Sequence, residues 1–516
     1  MVASPLPPLS VPLIWLFLGA LAFYVAALVV YRAFISPLAS IPGPKLAGLT
    51  SWYECYYDLV LPGQYAFKIK EMHSKYGPIV RIAPNEVSVS DPAFVDTIYA
   101  PGPGHKRDKD FAKNKSLGVN SSVGGSIAHD SHRKRREALN PFFSHRRISR
   151  LNPELTEKVS QMEEIFDRAK AGYEVVNLSD TYYAFCNEYC FGNSADLLQD
   201  LQLASRRRQN IVQILSRTPF NLHFSWVRNI LQSLPSSIGA KITPPGVRDI
   251  VSFRKSLSEQ VQNILSSKAS PDETPSIFTY LRDTPTLPTS EKSPQRLLDE
   301  ATLFIMAGTY SPMLSLAVAH YHLIARPDIL EKLRSELNAH LDIVDATRLE
   351  QLPYLSAIMQ EAHRLTFGLT GRNPRVCRDE TVFYTTESAP DGSQPQTYRL
   401  PAGVSLSAST LLLHTNESLF PDPWWFDPER WLTNDTNILA RRRRCMMSFL
   451  PGTRGCLGIH LANAEIAAAV SAMARWDMRL YETTLEDVSF LHDYHVMCPR
   501  LDSKGVRVEV IGRGTR

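Results

Sequence analysis

The 516-residue chain is predicted to be a mainly α protein with small β-sheets, an α+β arrangement preceded by one apolar helix. Three observations predict this class. Residues 147–364 follow a mostly helical pattern, short alternating segments flank them, and no βαβ alternation or Gly-x-Gly-x-x-Gly motif indicates a nucleotide-binding domain. Apolar residues make up 44% of the chain, which is sufficient for a large core.

The N-terminal segment is predicted to be a membrane anchor. Residues 1–31 contain no charged side chain, and residues 11–30 are long and apolar enough to cross a bilayer as one helix. Arg32 and Lys45 follow, which places the rest of the chain in the cytosol. A cleaved secretory signal is the alternative, but no basic region precedes the apolar core. We therefore divide the chain into a tail (1–10), an anchor (11–31), a proline-rich hinge (32–48) and one large domain (49–516).

Local patterns predict the elements of the large domain in order. Residues 79–83 and 86–90 alternate around a Pro-Asn turn and predict a β-hairpin. Residues 256–265 and 327–337 predict amphipathic helices, and short strands return between residues 381 and 407. A small sheet near the membrane and a helical body are therefore expected.

Charge and cysteine content narrow the functional classes. A net charge of +4 is too small to indicate nucleic-acid binding. Seven cysteines, an odd number without paired spacing, indicate a reducing compartment. Cys186 and Cys190 lie one helical turn apart, but two ligands alone make no closed metal site, so we interpret them as core thiols.

The most specific feature is Cys456, which directly precedes an alanine-rich helical run over residues 459–476. The free N–H groups and positive dipole end of a helix that begins near Leu457 stabilise a thiolate, and a thiolate is a strong metal ligand. Phe449 is placed to shield the sulfur from water, and Arg454 offers a fixed charge to a carboxylate.

Three glycines share this segment and permit unusual backbone angles and the close approach of a flat macrocycle: Gly452, Gly455 and Gly458. The segment therefore predicts a cradle for haem with an axial cysteinate, the ligand that favours O–O cleavage.

These residues match all five fixed positions of Phe-x-x-Gly-x-Arg-x-Cys-x-Gly, the haem-binding loop of the cytochrome P450 family, which the chain resembles from the anchor through Cys456. A structural cysteine before a helix is the alternative that so many matches disfavour. The resemblance implies the P450 fold, heme b as cofactor and Cys456 as its iron ligand. Residues 76–84 and 140–144 are similar to fungal members that oxidise terpenoids and other secondary metabolites, the trichodiene-oxygenase-like group.

Glu361, Arg364 and Arg430 are predicted to form a structural triad. Glu361 and Arg364 lie three residues apart in a helix-like run, so their side chains share one face. Arg430, in Pro428-Glu429-Arg430-Trp431, offers a second guanidinium for a bidentate network. The set resembles the Glu-x-x-Arg plus Pro-Glu-Arg triad of the family, which implies that it holds the cysteine loop in position.

His132 and Arg136 lie one helical turn apart and can reach one patch together. The family's usual Trp-x-x-x-Arg appears here as His-x-x-x-Arg, so the resemblance assigns both residues to the haem propionates, together with Arg454 and Arg375. Arg375 is assigned by its position after the Glu-x-x-Arg helix alone. A plain basic helix face is the alternative interpretation of the first pair.

Residues 301–319 form an uncharged run that Thr309, Tyr310, Ser311 and Pro312 interrupt. We expect a helix buried through the core rather than a second membrane span. By the resemblance it covers the oxygen-binding face of haem, but Tyr310 replaces the family's acid and Ser311 its threonine. A tyrosine with a pKa near ~10 relays protons poorly.

Because Pro312 has no N–H, it is predicted to leave the Gly308 carbonyl unpaired and to open a kink that holds water. We hypothesise that this water and Ser311 carry protons. The alternative is that Tyr310 only contacts or shapes the substrate pocket.

Two surfaces invite a functional interpretation. Residues 222–245 are apolar and aromatic with few acids, and they are interpreted either as a lid that dips into the membrane surface or as core. The run Arg441-Arg442-Arg443-Arg444 is interpreted either as a docking patch for an acidic electron donor or as a solvated surface.

The resemblance implies a haem-thiolate monooxygenase that inserts one oxygen atom of O2 into an apolar small molecule. Electrons are expected from NADPH-cytochrome P450 reductase, with cytochrome b5 as a second donor, in a single-pass endoplasmic reticulum protein whose catalytic domain is cytosolic. The missing acid leaves two alternatives: a haem-thiolate isomerase or dehydratase that works without O2, and a haem-binding protein without turnover. An intact cysteine loop favours the monooxygenase.

Overall fold

The computed structural model describes residues 11–116, 118–186, 196–227, 230, 245–266, 277–341, 343, 345–387 and 394–514. The predicted tail (1–10) and Cys190 lie outside the described residues, as does most of the proposed lid over residues 222–245. The predicted class, mainly α with small sheets, is confirmed.

Helices form most of the described chain. The first half of the helices, in chain order, comprises α1 Val11–Val30, α2 Lys45–Leu49, α3 Trp52–Cys55, α4 Tyr65–Tyr76, α5 Val95–Tyr99, α6 Phe111–Lys115, α7 His129–Leu139, α8 His145–Ile148, α9 Asn152–Gly172, α10 Leu178–Cys186, α11 Leu201–Ser216 and α12 Thr218–His223. The second half comprises α13 Pro245–Ser266, α14 Ile277–Asp283, α15 Pro294–Ile305, α16 Ser311–Ala325, α17 Pro327–Ala339, α18 Ala346–Leu349, α19 Pro353–Thr366, α20 Thr410–His414, α21 Thr436–Cys445 and α22 Ile459–Met473.

Short strands make up four small sheets. The strands are β1 Ile79–Ala83, β2 Glu86–Val89, β3 Asp108–Lys109, β4 Val175–Asn177, β5 Arg375–Val376, β6 Val382–Thr385, β7 Thr397–Leu400, β8 Ser405–Ser407, β9 Trp476–Leu480, β10 His492–Asp493, β11 Met497–Cys498 and β12 Arg507–Arg513. The largest sheet has the order β1-β2-β8-β5-β3, and its first pair is the antiparallel hairpin predicted from the sequence.

One long apolar stretch runs through the core. It consists of α15, a π-helical turn over Met306–Tyr310 and α16. By length and composition Pro294–Ala325 is long enough to cross a membrane, but 72% of its apolar window is buried inside the protein. The same test selects Leu13–Ile35 near the N-terminus, whose window is 0% buried. The first stretch is therefore a core helix, and the second is the candidate membrane anchor.

The proline-rich segment after the anchor packs against the first sheet. Leu38 and Ile41 are only 1% and 6% exposed. The Arg81 N–H of β1 donates to the Pro42 carbonyl at 2.7 Å, and the Arg81 guanidinium donates to the Arg32 carbonyl at 2.9 Å. Residues 32–48 therefore fix how the anchor leaves the domain.

Deletion of residues 1–31 is expected to leave the thermal midpoint of the domain nearly unchanged, because α1 has no buried contacts. Deletion of residues 1–44 is expected to lower it, because burial of each large aliphatic side chain is worth about 1.5–3 kcal/mol and Leu38 and Ile41 are both lost. Differential scanning fluorimetry of both truncations provides the measurement. Equal midpoints would contradict the packing role of this segment.

Candidate active site

A cavity of about 340 Å³ lies between the π-helical turn of the central stretch and the loop that carries Cys456. One wall consists of Ala307, Gly308, Tyr310 and Ser311, and the opposite wall of Phe449 and residues 454–458. Between them the lining is largely apolar, with Val119, Val123, Leu215, Leu303, Phe304, Met306, Leu314, Leu369 and Val496. The two sequence motifs thus face each other across one space.

Cys456 lies at the base of this cavity. Its backbone N–H donates to the Phe449 carbonyl at 2.7 Å, which closes the loop, and the helix α22 begins three residues later at Ile459. Cys456 is surrounded by protein but is exposed to the cavity, which it lines. Burial raises the pKa of the Cys456 thiol, while the Gly458 backbone N–H and the Arg136 charge lower it. A bound cation would complete that stabilisation of the thiolate.

The three loop glycines have different reasons to be glycine. Gly452 has φ +82°, and a Cβ there would lie 2.0 Å from the Tyr99 carbonyl oxygen. A Cβ on Gly455 would lie 2.7 Å from the Leu450 carbonyl oxygen. A Cβ on Gly458 would meet only open space, since this residue lines the cavity. Only Gly458 could therefore leave room for a flat group in the cavity. Gly452 and Gly455 are needed because a side chain there would collide with the backbone around the loop.

Five cationic or basic side chains line the cavity near the cysteine loop: Lys109, His132, Arg136, Arg375 and Arg454. Their hydrogen bonds run to backbone carbonyls. Arg454 donates to the carbonyls of Arg107, Ser126 and Ile127 at 3.1, 2.8 and 2.7 Å, and Arg375 donates to that of Asn373 at 2.9 Å. Arg136 donates to the Gly455 carbonyl, and Lys109 to the Gly124 carbonyl. Among the described residues, none of the five forms an ion pair with a carboxylate.

This concentration of positive charge depresses the pKa of its own members. Burial, followed by repulsion from Arg375 and Arg454, lowers the pKa of Lys109 to about 7. Burial and four neighbouring cations, Arg454 first, lower the pKa of His132 to about 2. Burial and Arg375 lower the pKa of Arg454 to about 9. A buried group of cations without anions is costly, and a dianionic ligand would remove that cost.

Heme b would fit these residues, since the cations could hold its two propionates and Cys456 its iron. The sequence interpretation named four of the five basic side chains and missed Lys109. In the sequence, Lys109 is one of several charged residues in segment 106–115, and no spacing rule distinguishes it from the residues that are exposed at the surface.

The three predicted triad residues meet around a carboxylate that is 0% exposed. Arg364 donates to Glu361 through Nε and Nη2 at 2.9 and 2.7 Å, and Arg430 donates through Nε at 3.0 Å. The Trp431 indole N–H and the Asp427 backbone N–H complete the shell at 2.9 and 3.0 Å. The carboxylate therefore joins α19 to the segment over residues 427–431, which precedes the cysteine loop. Trp431 was not singled out from the sequence.

The opposite wall is irregular beside the predicted kink, which stays a prediction. Hydrogen bonding widens to a π-helical turn over Met306–Tyr310, and Pro312 stands in the first turn of α16, where a missing N–H is tolerated. The Ser311 hydroxyl donates to the Ala307 carbonyl at 2.6 Å. The irregularity therefore precedes the proline, and the carbonyl that the serine satisfies is that of Ala307.

Tyr310 occupies the position of the family's acid and is only 5% exposed. Burial and the nearby Cys498 raise its pKa well above the ordinary value, so the phenol stays neutral. It lines the cavity and packs in the main apolar core. That it contacts or shapes a substrate pocket stays a prediction.

A second buried ionic cluster shapes the cavity wall between α19 and β5. Arg372 adopts φ +56°, and its guanidinium contacts both Glu86, at 2.9 Å, and Glu54. Lys113 also pairs with Glu54, and His223 bonds to Asp58 at 2.9 Å beside it. The cations of this cluster pair with its acids, and they anchor Arg372 within a loop, residues 368–374, that lines the cavity.

The Arg441–Arg444 run belongs to α21, and its four side chains differ in their partners and in their exposure to solvent. Arg442 donates to the carbonyls of Leu419 and Arg430, and Arg444 pairs with Asp96. Arg441 and Arg443 are exposed. Arg441 and Arg443 are therefore the exposed members of the run that form no ion pair among the described residues, and the docking patch stays a prediction.

Exposed aromatic and aliphatic side chains lie around α3 and α12, on the side of the anchor. The group comprises Trp52, Tyr56, Val60, Leu61, Phe220 and Trp226. The Trp52 and Phe224 rings lie 6.0 Å apart, and Phe220 and Phe224 lie 5.1 Å apart. The described part of the proposed lid thus joins an apolar surface rather than the core.

The sequence profile named Cytochrome P450 matches residues 48–483, and the chain belongs to this family. Cytochrome P450 monooxygenase tpcC of Cochliobolus heterostrophus is 36% identical over 97% of this chain and 98% of its own length. Tryptophan 6-hydroxylase fscE of Fusarium equiseti is 34% identical over 94% of each chain. Cytochrome P450 monooxygenase TRI4 of Fusarium sporotrichioides is 33% identical over 91% of this chain and 89% of its own. The resemblance to the family and to its fungal trichodiene-oxygenase-like members is confirmed.

Gly452→Ala is expected to destabilise the protein more than Gly403→Ala. Both glycines have φ near +85°, but a Cβ at position 403 meets nothing within 4 Å, whereas one at position 452 collides with the Tyr99 carbonyl. The control therefore isolates the left-handed strain, about 1–2 kcal/mol, from the collision. Urea denaturation of both variants gives the two free energies of unfolding. Equal losses would show that the loop does not pack against Tyr99.

Glu361→Gln is expected to cost about 3–5 kcal/mol of unfolding free energy, because it leaves two buried guanidiniums without their charge partner. Glu429→Gln is the matched control in the same Pro-Glu-Arg segment, where the carboxylate is 51% exposed and pairs with Lys332. A surface pair of that kind is worth about 0–1 kcal/mol. Urea denaturation checks both, and similar losses for the two variants would refute the triad's structural role.

Proposed function

We propose that the protein is a haem-thiolate monooxygenase that inserts one oxygen atom of O2 into an apolar small molecule. The observation that carries this proposal is the placement of Cys456 at the base of a cavity whose rim holds basic groups without anionic partners and whose opposite wall is an interrupted helix. Heme b, when bound there, supplies O2 binding and the O–O cleavage that a thiolate ligand favours.

Each site residue has a distinct proposed role. Cys456 is the iron ligand, and Phe449 keeps water from the sulfur. Gly458 leaves room for the macrocycle. The five basic side chains, Lys109, His132, Arg136, Arg375 and Arg454, hold the propionates. The triad of Glu361, Arg364 and Arg430 holds the backbone that leads to the loop.

The substrate is proposed to be a terpenoid or another fungal secondary metabolite. Between the two walls the cavity is lined mainly by aliphatic and aromatic carbon, so an apolar molecule would be desolvated there without loss of hydrogen bonds. The fungal relatives support the same class, and the tryptophan hydroxylase among them shows that an aromatic amino acid belongs in any substrate screen.

Electron supply and location follow from the proposed reaction. The electrons are proposed to come from NADPH-cytochrome P450 reductase, with cytochrome b5 as an auxiliary donor, docking near the exposed Arg441 and Arg443. The anchor and the exposed apolar group around Trp52 support a single-pass protein of the endoplasmic reticulum with its catalytic domain in the cytosol.

A haem-thiolate isomerase or dehydratase is the second candidate, because Tyr310 supplies no acid. The two functions differ in their need for electrons. Microsomes that contain the protein and reductase are incubated with host metabolite extracts under ¹⁸O2, with and without NADPH. A product with one ¹⁸O atom that requires NADPH supports the monooxygenase. A product without ¹⁸O that forms without NADPH overturns it in favour of the isomerase or dehydratase.

Ser311→Ala is expected to divert electrons from product to peroxide, because the hydroxyl that faces the cavity is lost. Ser311→Thr is the matched control that keeps the hydroxyl, and Tyr310→Phe is expected to change little, since the phenol is neutral. The measurement is the ratio of product to NADPH consumed. Unchanged coupling in Ser311→Ala would contradict a role for Ser311 and for water near Gly308 in proton delivery.

A further inference from the structure

A row of polar side chains leaves the cavity next to Ser311. Ser315 follows Ser311 by one helical turn, and both residues line the cavity. The Ser315 hydroxyl lies 3.3 Å from His363 Nδ1 and 3.3 Å from the Thr366 hydroxyl. His363 and Thr366 belong to α19 and are 6% and 4% exposed. A neutral buried imidazole is thus hydrogen-bonded to a serine at the cavity wall.

Behind His363, three buried polar atoms lack a hydrogen-bond partner in the described part of the chain: His363 Nε2, Asn463 Oδ1 and Glu350 Oε2. They belong to one neighbourhood, because the Asn463 side chain approaches both groups: burial lowers the pKa of His363 and raises that of Glu350, and hydrogen bonding by Asn463 opposes both shifts without satisfying these three atoms. An unpaired buried polar atom is destabilising, and ordered water is the usual partner of such groups. The three atoms together form a site for bridging water.

The outer end of this row reaches solvent. Glu350 Oε1 lies 3.9 Å from His145 Nε2, whose side chain is 51% exposed. The side chains stand on different elements, His145 on α8, Asn463 on α22, His363 on α19 and Ser315 on α16. A polar route therefore crosses the helical body from the surface to the cavity.

We propose that Glu350, Asn463, His363 and Ser315, with water between the first three, form a path that carries solvent protons to the cavity beside Ser311. The proposal rests on the proposed monooxygenase function, in which each O2 consumed requires two protons and two electrons from outside. Tyr310 cannot supply those protons as a carboxylic acid would, because its phenol is held neutral by burial.

The proton balance closes at each atom. A proton from water held by Glu350 and Asn463 binds His363 Nε2, and the Nδ1 proton passes to the Ser315 oxygen. The Ser315 hydroxyl proton then moves into the cavity, and solvent returns a proton by way of Glu350 to the water that gave one up. Rotation of the imidazole restores the starting tautomer. Burial lowers the pKa of His363 to about 4, so the ring releases each proton and remains neutral between transfers.

Packing is the competing explanation for His363, since its ring meets the Phe449 ring edge-on at 4.8 Å between centroids. The two explanations differ in their response to His363→Phe. This change keeps an aromatic ring against Phe449 and removes both nitrogens. Ser315→Ala and Glu350→Gln interrupt the same path at its inner and outer ends with little change of volume. Ser471→Ala, at another buried serine on α22, is the matched control.

The first test is a crystal structure of the full chain. We expect ordered water, or a direct hydrogen bond, at His363 Nε2, Asn463 Oδ1 and Glu350 Oε2. Density that shows neither would overturn the path.

The second test measures NADPH oxidation with reductase and without added substrate, in H2O and in D2O, for each variant. We expect a loss of about 10-fold and a larger solvent isotope effect in His363→Phe, Ser315→Ala and Glu350→Gln, and no change in Ser471→Ala. Oxidation of guaiacol by hydrogen peroxide, which already carries the two electrons and two protons, is expected to stay at the parent level in all four variants.

Equal losses in the NADPH and peroxide reactions would assign His363 to packing and overturn the path, as would unchanged NADPH oxidation in Ser315→Ala and Glu350→Gln. A parent protein that binds no haem, judged by the absence of a Soret band, would overturn the proposed function itself and the path with it.

Discussion

Positive charge without a compensating anion is the constraint on which the site depends. Four cations lie at one end of a buried cavity: Lys109, Arg136, Arg375 and Arg454. Backbone carbonyls accept their hydrogen bonds but do not neutralise their charge. Burial, and after it the neighbouring cations, depresses the pKa values of Lys109, His132 and Arg454. A ligand with two carboxylates and a metal ion would offset this repulsion and would favour the thiolate of Cys456, whose pKa burial raises. The chain is therefore built for its cofactor as much as for its own packing.

A second buried charge, the Glu361 carboxylate, holds the scaffold around that cavity, and side chains of the protein itself neutralise it. Glu361 is enclosed by Arg364, Arg430 and the Trp431 indole, so it needs no ligand. Arg372 has the same relation to Glu54 and Glu86 on the other side of the cavity. Networks of this kind hold the two walls through the chain's own side chains, whereas the cation cluster is proposed to hold the cofactor. The buried charges that have ion-pair partners thus stabilise the fold, and the cations without such partners are the ones proposed to bind the cofactor.

Much of the site could be predicted because its chemistry is local in sequence. The Cys456 loop, the Glu361–Arg364 spacing and the His132–Arg136 spacing each place their side chains within one loop or one helix face. Lys109, His363 and Trp431 were missed because their roles arise from contacts between distant elements, such as His363 with Ser315 on another helix. The π-helical turn before Pro312 could not be predicted from the sequence either. A proline predicts that a helix is interrupted, but not whether the helix responds by kinking or by adopting π-helical hydrogen bonds. The fold class and the hairpin over residues 79–89, which depend on periodicity, agreed with the structure.

Every other role proposed in this cavity rests on coordination of iron by the Cys456 sulfur. Iron-edge X-ray absorption of the purified protein measures this coordination, with Cys456→Ser as the comparison and its fold verified by circular dichroism. We expect one sulfur ligand to iron in the parent protein and none in Cys456→Ser. An identical sulfur signal in both proteins, or iron without sulfur in the parent, would contradict it.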